Sequence, residues 1–183
     1  MKIETERLTL RPLRDSDAEC ICENMNNLEV SKWMRSVPYP YRLKDAFVIV
    51  KKAKKEWKMK NKDKYHFAIE LKEEKKIIGG IVIGGINKKQ KTASLGYWVG
   101  KRYHHQGYGS EALGAILRFG FLKLKLRRIE AEVFPGNPSS GKLLEKFGAK
   151  EEGIKRKSSF CLADGKIKDT IMYGILKEEW KNE

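Results

Sequence analysis

Three closely spaced hydrophobic runs restrict the folds open to this chain more than any other feature. YHFAIEL (65–71), KIIGGIVIGGI (76–86) and TASLGYWVG (92–100) each have the length and pattern of a β-strand. Only the short polar links KEEK and NKKQK separate them. Because parallel strands need a crossover of about a dozen residues or more, such links join antiparallel neighbours. The centre of the chain therefore predicts an antiparallel sheet.

The spacing of apolar residues changes from strand-like to helix-like after the third run. A helix is predicted through about Lys123, with one apolar face made of Ala112, Leu113, Ile116, Leu117 and Gly120. RRIEAEVF (127–134) then alternates as a strand. The order strand, helix, strand is that of a crossover between parallel strands. We expect one such crossover in the middle of the sheet.

Strand patterns near both ends of the sequence extend this sheet. RLTLRPL (7–13) alternates until its proline, and two last strands, at about 149–162 and 166–177, are joined by Asp164-Gly165, a dipeptide typical of a tight hairpin. No repeat, long linker or composition break divides residues 1–183. The expected fold is a single mixed α/β domain, mostly antiparallel, with a central strand-helix-strand crossover.

The remaining segments predict two short helices and a loop. Asp15 or Ser16 can cap a helix that continues to about residue 27, because their side chains accept the free amides of a first helical turn. SSGKLLEKFG predicts another short helix that ends at Gly148. SVPYPYR (36–42) has two prolines flanking a tyrosine, which predicts an exposed aromatic loop.

Positive charge is the main departure of this sequence from an average composition. The formal net charge is +15, which favours an anionic partner such as nucleic acid, a phosphorylated cofactor or an acidic protein surface. Eight lysines lie between Lys51 and Lys64, in and after a predicted helix over 44–60. Two interpretations of these lysines stay open, a solvated helix face and a docking patch for an acidic partner.

Cysteine and histidine usage argues against a metal site or a disulfide framework. Cys20, Cys22 and Cys161 are odd in number and lack zinc-like spacing, and the chain has three histidines. The start, MKIETERLTL, does not resemble a signal peptide, and no apolar run approaches the ~20 residues of a membrane span. We expect a soluble cytoplasmic protein with reduced thiols, no metal and no membrane partner.

The stretch HHQGYGSEALG (104–114) places two glycines where strand spacing gives way to helix spacing. The first amides of a helix have no internal partner, and the backbone dipoles add positive potential there. Gly107 and Gly109 would let the backbone approach a phosphate closely, which suggests a pyrophosphate site. The alternative is that both glycines only turn a corner.

A dinucleotide fingerprint is a competing interpretation of the same glycines. Gly107, Gly109 and Ala112 spell G-x-G-x-x-A, and Glu130 lies about 20 residues downstream, where a ribose contact belongs. That fingerprint should follow directly on a buried strand in a parallel βαβ array. Here KRYHH separates strand from glycine, and the preceding strands look antiparallel, so a Rossmann site is disfavoured.

Four pieces of the sequence resemble the GNAT superfamily of acyl-CoA N-acyltransferases, specifically its RimJ/RimL branch. They are ERLTLRPLRDSDAE, LGYWVGKRYHHQGYGSEAL, VFPGNPSSGKLLEKFGAKEEG and DGKIKDTIMYGILKEEW, in the order of the family and over practically the whole chain. The resemblance implies the GNAT fold and a transfer of the acetyl group of acetyl-CoA to an amine by direct attack on the thioester, with coenzyme A as product.

The resemblance also implies how the coenzyme binds. Backbone amides of the turn would hold its pyrophosphate, the third strand would pair with its pantetheine arm, and an asparagine side chain would help to hold that arm. The implied residues are Tyr97, Trp98, Val99, His104, His105, Gln106, Gly107, Tyr108, Gly109, Ser110 and Asn137. Lys101, Arg102, Lys142 and Lys146 offer positive charge to the phosphates, and Lys146 is included among the predicted contacts. His104 stands where the family pattern R/Q-x-x-G-x-G/A has Arg or Gln.

The resemblance does not assign the general base directly. Many relatives place a glutamate where this chain has Ser94, which cannot serve as a carboxylate base. Glu132 is the predicted substitute, because its spacing to Asn137 is similar to that in the N-terminal acetyltransferase RimI. Glu130 lies on the same strand face, and a water relay to a backbone carbonyl or to Glu70 stays open.

The departing thiolate needs a proton, and the developing oxyanion needs a hydrogen-bond donor. The tyrosine on which RimI relies is replaced by Leu144, whereas Ser140 matches the serine assigned this role in RimL-like enzymes. Ser140 could equally cap the helix that follows it. A backbone amide near Val99 would meet the oxyanion.

The acceptor is expected under the loop from Trp33 to Arg42, whose aromatics Trp33, Tyr39 and Tyr41 are either substrate contacts or ordinary core and rim. The leading prediction is an N-terminal acetyltransferase of a protein, with a ribosomal protein favoured by the basic charge. A small-amine acetyltransferase of the same fold and a basic binding module on RNA or the ribosome surface are the alternatives. Two further interactions stay open: docking of an acidic protein surface on this chain, and formation of a homodimer.

Overall fold

The computed structural model describes residues 1–181, and its central element is one eight-stranded sheet. Along the sheet the order is β1-β2-β3-β4-β5-β6-β8-β7. The strands are β1 (Ile3–Glu4), β2 (Leu8–Pro12), β3 (Tyr65–Leu71), β4 (Lys76–Asn87), β5 (Thr92–Val99), β6 (Arg128–Val133), β7 (Lys150–Cys161) and β8 (Lys166–Leu176). Apart from β1, the sequence pattern predicts each of them.

Pairing in the sheet confirms the predicted topology. Strands β1 to β5 pair as antiparallel neighbours, and β5 pairs with β6 in parallel. The parallel pair is joined by the crossover helix α4 (Tyr108–Arg118). At the far end the hairpin of β7 and β8 folds back so that β8 lies between β6 and β7.

Helices cover both faces of the sheet, because each face carries its own cluster of buried apolar side chains. One cluster lies under α4 and α5 (Pro138–Lys146) and includes Leu113, Ile116 and Leu144. The other lies under α1 (Ala18–Met25), α2 (Leu28–Ser31) and α3 (Leu43–Lys58). No helix within residues 1–181 is long and apolar enough to cross a membrane.

The sheet opens between β5 and β6. Their parallel pairing runs from Thr92 with Arg128 to Leu95 with Ala131. Beyond that point residues 96–99 of β5 keep their pairing with β4 alone. One edge of this backbone is therefore free to accept another partner.

Three details of the helical and loop regions differ from the sequence prediction. The helix expected to start at Asp15 or Ser16 and to continue to about residue 27 is a short 3-10 turn, Asp15–Asp17, followed by α1, which ends at Met25, and neither predicted side chain caps it. The helix predicted through about Lys123 changes at Phe119 into one wider turn that ends at Lys123. The 36–42 loop is not exposed throughout: Tyr41 is only 4% exposed, because its ring packs in the cluster under α1 and α3, whereas Tyr39 is 45% exposed. Residues in and after α3 leave most of their lysines in solvent, as a solvated face requires.

Candidate active site

The turn before α4 presents a run of backbone amides with no hydrogen-bond partner within residues 1–181. Within the described residues, no amide from His105 to Ser110 donates a hydrogen bond to the protein. His105 and Gly107 have positive φ angles, 61° and 82°, so the backbone curls and aims successive amides the same way. Such a curl at a helix N-terminus binds anions, and the donors present fit a pyrophosphate.

Arg7 holds this turn from the neighbouring end of β2. Its guanidinium donates to the Gln106 carbonyl at 2.9 Å and to Glu111 at 2.7 Å, and it lies over the Tyr108 ring. Thr5 also donates to Glu111, at 2.6 Å. Burial opposes ionisation of Glu111, but these hydrogen bonds outweigh it and lower its pKa, so the Arg7–Glu111 pair stays charged. The turn is thus fixed before any ligand arrives.

The free backbone of β5 lies close to this turn. Residues Tyr97, Trp98 and Val99 lack a neighbour on the β6 side, so their polar groups can pair with an extended ligand. The His104 ring lies 2.9 Å from the Val99 carbonyl. The side chain at the position where the family has Arg or Gln therefore braces the strand that precedes the turn.

A cavity of about 860 Å³ connects these parts. It is lined on the α4 and α5 side by Gly109 and Ser140, and on the α1 to α3 side by Trp33 and Trp98, so it runs through the opening between β5 and β6. Of the site residues predicted from sequence, it brings together Trp33, Tyr41, Tyr97, Trp98, Val99, His104, His105, Gly107, Tyr108, Gly109, Glu132, Asn137 and Ser140. Gln106, Ser110, Lys146 and Tyr39 do not line it.

A pair of hydroxyl groups lies inside the opening. The Tyr97 hydroxyl is 2.8 Å from Ser140 Oγ and donates to the Ser140 carbonyl at 3.3 Å. Asn137 Oδ1 accepts from the Ser140 amide at 3.4 Å and so caps α5, which fixes the serine. Burial raises the pKa of Tyr97 to about 12 against a smaller opposite effect of Ser140, so the phenol is protonated at neutral pH.

Glu132 lies on the other side of the opening. Glu130 pairs with Ser94, and Glu132 follows Glu130 by two residues on β6. Strand alternation therefore places Glu132 on the same sheet face as Ser94 and Trp98, where it lines the cavity. Its carboxylate is paired with Arg35 at 2.6 Å and with Lys155 at 3.3 Å. Any acceptor amine that approaches Glu132 has to compete with these two cations.

The two alternative carboxylates are arranged differently from Glu132. Glu130 does not line the cavity and pairs with Arg128 at 2.8 Å. Glu70 also lies outside the lining and pairs with the buried Arg11 at 2.6 Å. Of the three glutamates, Glu132 is therefore the one that faces the cavity.

Side chains near Lys146 and at the distal end of the cavity complete the site. Lys146 donates to Ser110 Oγ at 3.2 Å, beside the turn of free amides. On the α3 side the cavity ends among Lys52, Glu56, Lys64 and His66. Burial lowers the pKa of His66 to about 4, and the nearby Lys64 and Lys52 add to this shift, so the imidazole is neutral at pH 7.

Sequence reasoning missed three contributors to this site. The Tyr97 hydroxyl could have been found from strand alternation, which turns Tyr97 toward α5 together with Leu95 and Val99. The role of Arg7 and the location of Glu56 depend on contacts between segments far apart in sequence, for which no local signal exists. Leu144, in contrast, is fully buried, as an apolar replacement of a tyrosine predicts.

Comparison with known proteins shows which family the chain belongs to. Residues 7–150 match the family model described as an acetyltransferase (GNAT) domain. The uncharacterized N-acetyltransferase p20 of Bacillus licheniformis is 32% identical over 178 residues, which cover 96% of each chain. The [ribosomal protein uS5]-alanine N-acetyltransferase of Escherichia coli is 26% identical, over 98% of this chain and 93% of its own.

One solved structure has a similar fold over nearly the whole of this chain. The structure of Mycobacterium smegmatis RimJ in complex with CoA-disulfide superimposes with a TM-score of 0.85 and 25% identity, covering 98% of this chain and 88% of the other. The sheet, the crossover and the sequence match lead to one assignment. The chain belongs to the GNAT acetyltransferase family, is an N-acetyltransferase and resembles its RimJ-like members.

Proposed function

We propose that this protein transfers the acetyl group of acetyl-CoA to the α-amino group of a protein N-terminus, with a ribosomal protein as the favoured acceptor. The observation that carries the proposal is the opening between β5 and β6, which lies beside a turn whose six amides donate to no group in the described part of the chain. It offers separate binding surfaces for a pyrophosphate and for an extended arm. Support also comes from the match to a GNAT acetyltransferase domain, from a structural neighbour solved in complex with CoA-disulfide, and from a relative that is a [ribosomal protein uS5]-alanine N-acetyltransferase.

Acetyl-CoA would be held by the chain's own backbone over most of its length. The amides from His105 to Ser110 bind the pyrophosphate, and Lys146 is close enough to Ser110 to add positive charge. The Tyr97 to Val99 backbone pairs with the pantetheine arm. Asn137, at the start of α5, lines the cavity and helps to hold the arm. When bound, the coenzyme supplies the acetyl thioester as the electrophile.

The acceptor amine would approach from the α1 to α3 side, where Glu132 lines the cavity. A protein α-amino group has a pKa of ~7.7 to 8.0, so roughly a tenth of it is already neutral at pH 7. Glu132 takes the proton from the amine, directly or through water, after the amine displaces Arg35 or Lys155. An N-terminal amine therefore needs less help from a base than a lysine amine does, which suits a carboxylate that is also paired with two cations.

The proton for the leaving sulfur would come from the hydroxyl pair. Ser140 lies in the first turn of α5 and Tyr97 on β5, with their hydroxyl oxygens 2.8 Å apart. A proton that one hydroxyl gives to the sulfur would be replaced from the other, and solvent water would then return a proton to the second hydroxyl before the next turnover. Because a thiol has a pKa near 8.5, the thiolate is a fair leaving group and the acid contributes less than positioning does.

Charge favours a protein acceptor over a polyamine. The net charge of +15 repels a free polycation unless the cleft is locally acidic, and in this cavity Glu132 is already paired with cations. A protein encountered beside rRNA, or one with an acidic surface, is attracted by the same charge.

Mass spectrometry after incubation with acetyl-CoA tests the proposal. The acceptors are peptides with free N-termini, the same peptides with blocked N-termini but free lysines, and a panel of small amines that includes spermidine. Acetylation at free N-termini alone is the expected outcome. Acetylation confined to the small amines contradicts the proposed acceptor while leaving the acetyltransferase assignment intact.

A further inference from the structure

A buried carboxylate oxygen that has no hydrogen-bond partner among the described residues lies in the α3 part of the cavity. Glu56, near the end of α3, is 14% exposed in its side chain and lines the cavity. Its Oε2 is buried and accepts no hydrogen bond from any group within residues 1–181. Its Oε1 is 3.7 Å from Lys64 Nζ, longer than a hydrogen bond. A buried acceptor without a donor is costly, and a ligand that supplies a donor removes this cost.

The position of Glu56 is fixed by its neighbour. Trp57 donates its indole N–H to the His66 carbonyl at 2.7 Å and packs edge-on against Tyr65 and Phe67. This contact anchors the end of α3 to β3, so Glu56 is held where it lines the cavity. A pre-positioned group loses little entropy on binding, which suits a recognition site.

The charges around Glu56 restrict what can bind there. Lys52 and Lys64 both line this end of the cavity, and Lys64 lies across Gly84, where a Cβ would be 2.9 Å from Lys64 Cε. The burial of His66 keeps its imidazole uncharged. Two lysines against one glutamate disfavour a further cation, whereas an uncharged hydroxyl or amide donor meets no repulsion.

The distance from the opening sets which part of an acceptor reaches this end. His66, which lines the cavity together with Glu56, pairs with Val82, and Val82 pairs with Gly96 at the opening. Two strand spacings of ~4.8 Å, about 10 Å in all, therefore separate His66 from the opening. An extended peptide advances ~3.3 to 3.6 Å per residue. A side chain on the third residue of an acceptor peptide therefore reaches Glu56 when its amine is at the opening.

We propose that Glu56 forms a distal acceptor subsite, in which its free oxygen accepts a hydrogen bond from an uncharged donor on the third residue of the acceptor. This inference rests on the proposed N-terminal acceptor. It assigns to Glu56 a role in selecting substrates, apart from the groups that take part in acetyl transfer. A hydroxyl or amide side chain is the chemistry that it recognises.

The test compares three peptides that differ only at position three, which is serine, alanine or lysine. We expect wild-type kcat/KM to be about tenfold higher for serine than for alanine, mainly through KM, with lysine no better than alanine. Glu56→Leu should abolish the preference for serine, and Glu56→Gln should restore part of it, because its amide oxygen still accepts. Glu73→Leu, in the exposed turn between β3 and β4, is the matched control and should keep the full preference.

Stability separates recognition from a structural role. Glu56→Leu should not lower the urea midpoint, because it removes a buried oxygen that lacks a partner. A clear drop in the midpoint would mean that Glu56 supports the fold through Lys64, and would overturn the subsite. Equal wild-type kcat/KM for serine and alanine overturns the subsite alone. Acetylation of no peptide at all overturns both the subsite and the proposed N-terminal acceptor.

Discussion

The hydroxyl groups of Tyr97 on β5 and Ser140 on α5 lie 2.8 Å apart, across the opening in the sheet. They belong to segments separated by the whole crossover, and they meet because α5 packs over the same face to which Tyr97 points. Burial keeps the phenol protonated, so the pair holds two exchangeable protons beside the place where the thioester is expected.

Removing either hydroxyl should slow turnover without weakening coenzyme binding. We expect Tyr97→Phe and Ser140→Ala each to lower kcat about tenfold, less than a typical loss of a general acid, because a thiolate leaves readily. The double variant should be no slower than either single one, since the two groups act as a unit. Steady-state kinetics with acetyl-CoA varied checks this. Multiplied losses in the double variant would mean that the hydroxyls act independently.

Gly109→Val should abolish coenzyme binding while leaving the fold intact. A Cβ at Gly109 would meet Leu143 at 3.5 Å, an ordinary contact, so the substitution obstructs the ligand more than the protein. We expect affinity for acetyl-CoA to fall about 100-fold or more in titration calorimetry, since the backbone can no longer approach the pyrophosphate. Ala115→Val adds the same side chain further along α4 and is the control. Unchanged affinity in Gly109→Val would contradict the assignment of the turn.

Arg7→Met should weaken coenzyme binding less severely. Without the contacts to Gln106 and Tyr108 the turn is no longer fixed in advance, and we expect a loss of affinity of about tenfold. Arg7→Lys should recover part of it. The exposed Arg14 offers a control of equal charge in Arg14→Met. Calorimetry that finds both Met variants equally weak would assign the effect to net charge instead.

Glu132→Gln should depress kcat/KM most at low pH. Below pH 7 the acceptor amine is mostly protonated and needs a base, whereas near pH 8.5 most of it is neutral. We expect a loss of about 100-fold at pH 6 and less than about tenfold at pH 8.5. Glu130→Gln, on the same strand face but outside the cavity lining, should keep the wild-type profile. A uniform loss across the pH range would remove Glu132 as base.

His66 should make the protein sensitive to acid. In the unfolded chain its imidazole binds a proton near pH 6.5, but in the folded chain only near pH 4. Between these values the unfolded state binds more protons, so the free energy of unfolding falls as the pH falls. From pH 7 to pH 5 the loss is about 2 kcal/mol. Urea unfolding should show His66→Asn losing about that much less than wild type over this interval, and equal losses would contradict the shift.

The fold could be predicted from the sequence because its signals are local. The short polar links on either side of β4 predict that β4 pairs antiparallel with both β3 and β5, as it does. The glycine turn is marked by residue type alone. The burial of Tyr41 could not be predicted, because two prolines indicate a loop without showing which side chain packs beneath it. The same applies to Arg35, which reaches Glu132 across 97 residues of sequence.

The site was predicted best where backbone geometry defines it and least where side chains from distant segments meet. Gly107 and Gly109 mark the candidate anion site by residue type, without any long-range contact. The Tyr97 hydroxyl, in contrast, can be assigned a role only from its contact with Ser140, and Arg7 only from its hydrogen bond to the Gln106 carbonyl. Long-range packing decides such pairs, and one sequence does not encode it in any periodic pattern.

The cavity that runs through the sheet has a consequence for the order of events. Its lining includes residues on both faces of the sheet, among them Gly109 of α4 on one face and Trp33, just after α2, on the other. With the proposed coenzyme on the first face and the proposed acceptor on the second, neither reactant would need to pass the other, and the geometry would impose no compulsory order of binding or release. Initial-rate kinetics should then give intersecting lines, with product inhibition typical of a random ternary complex.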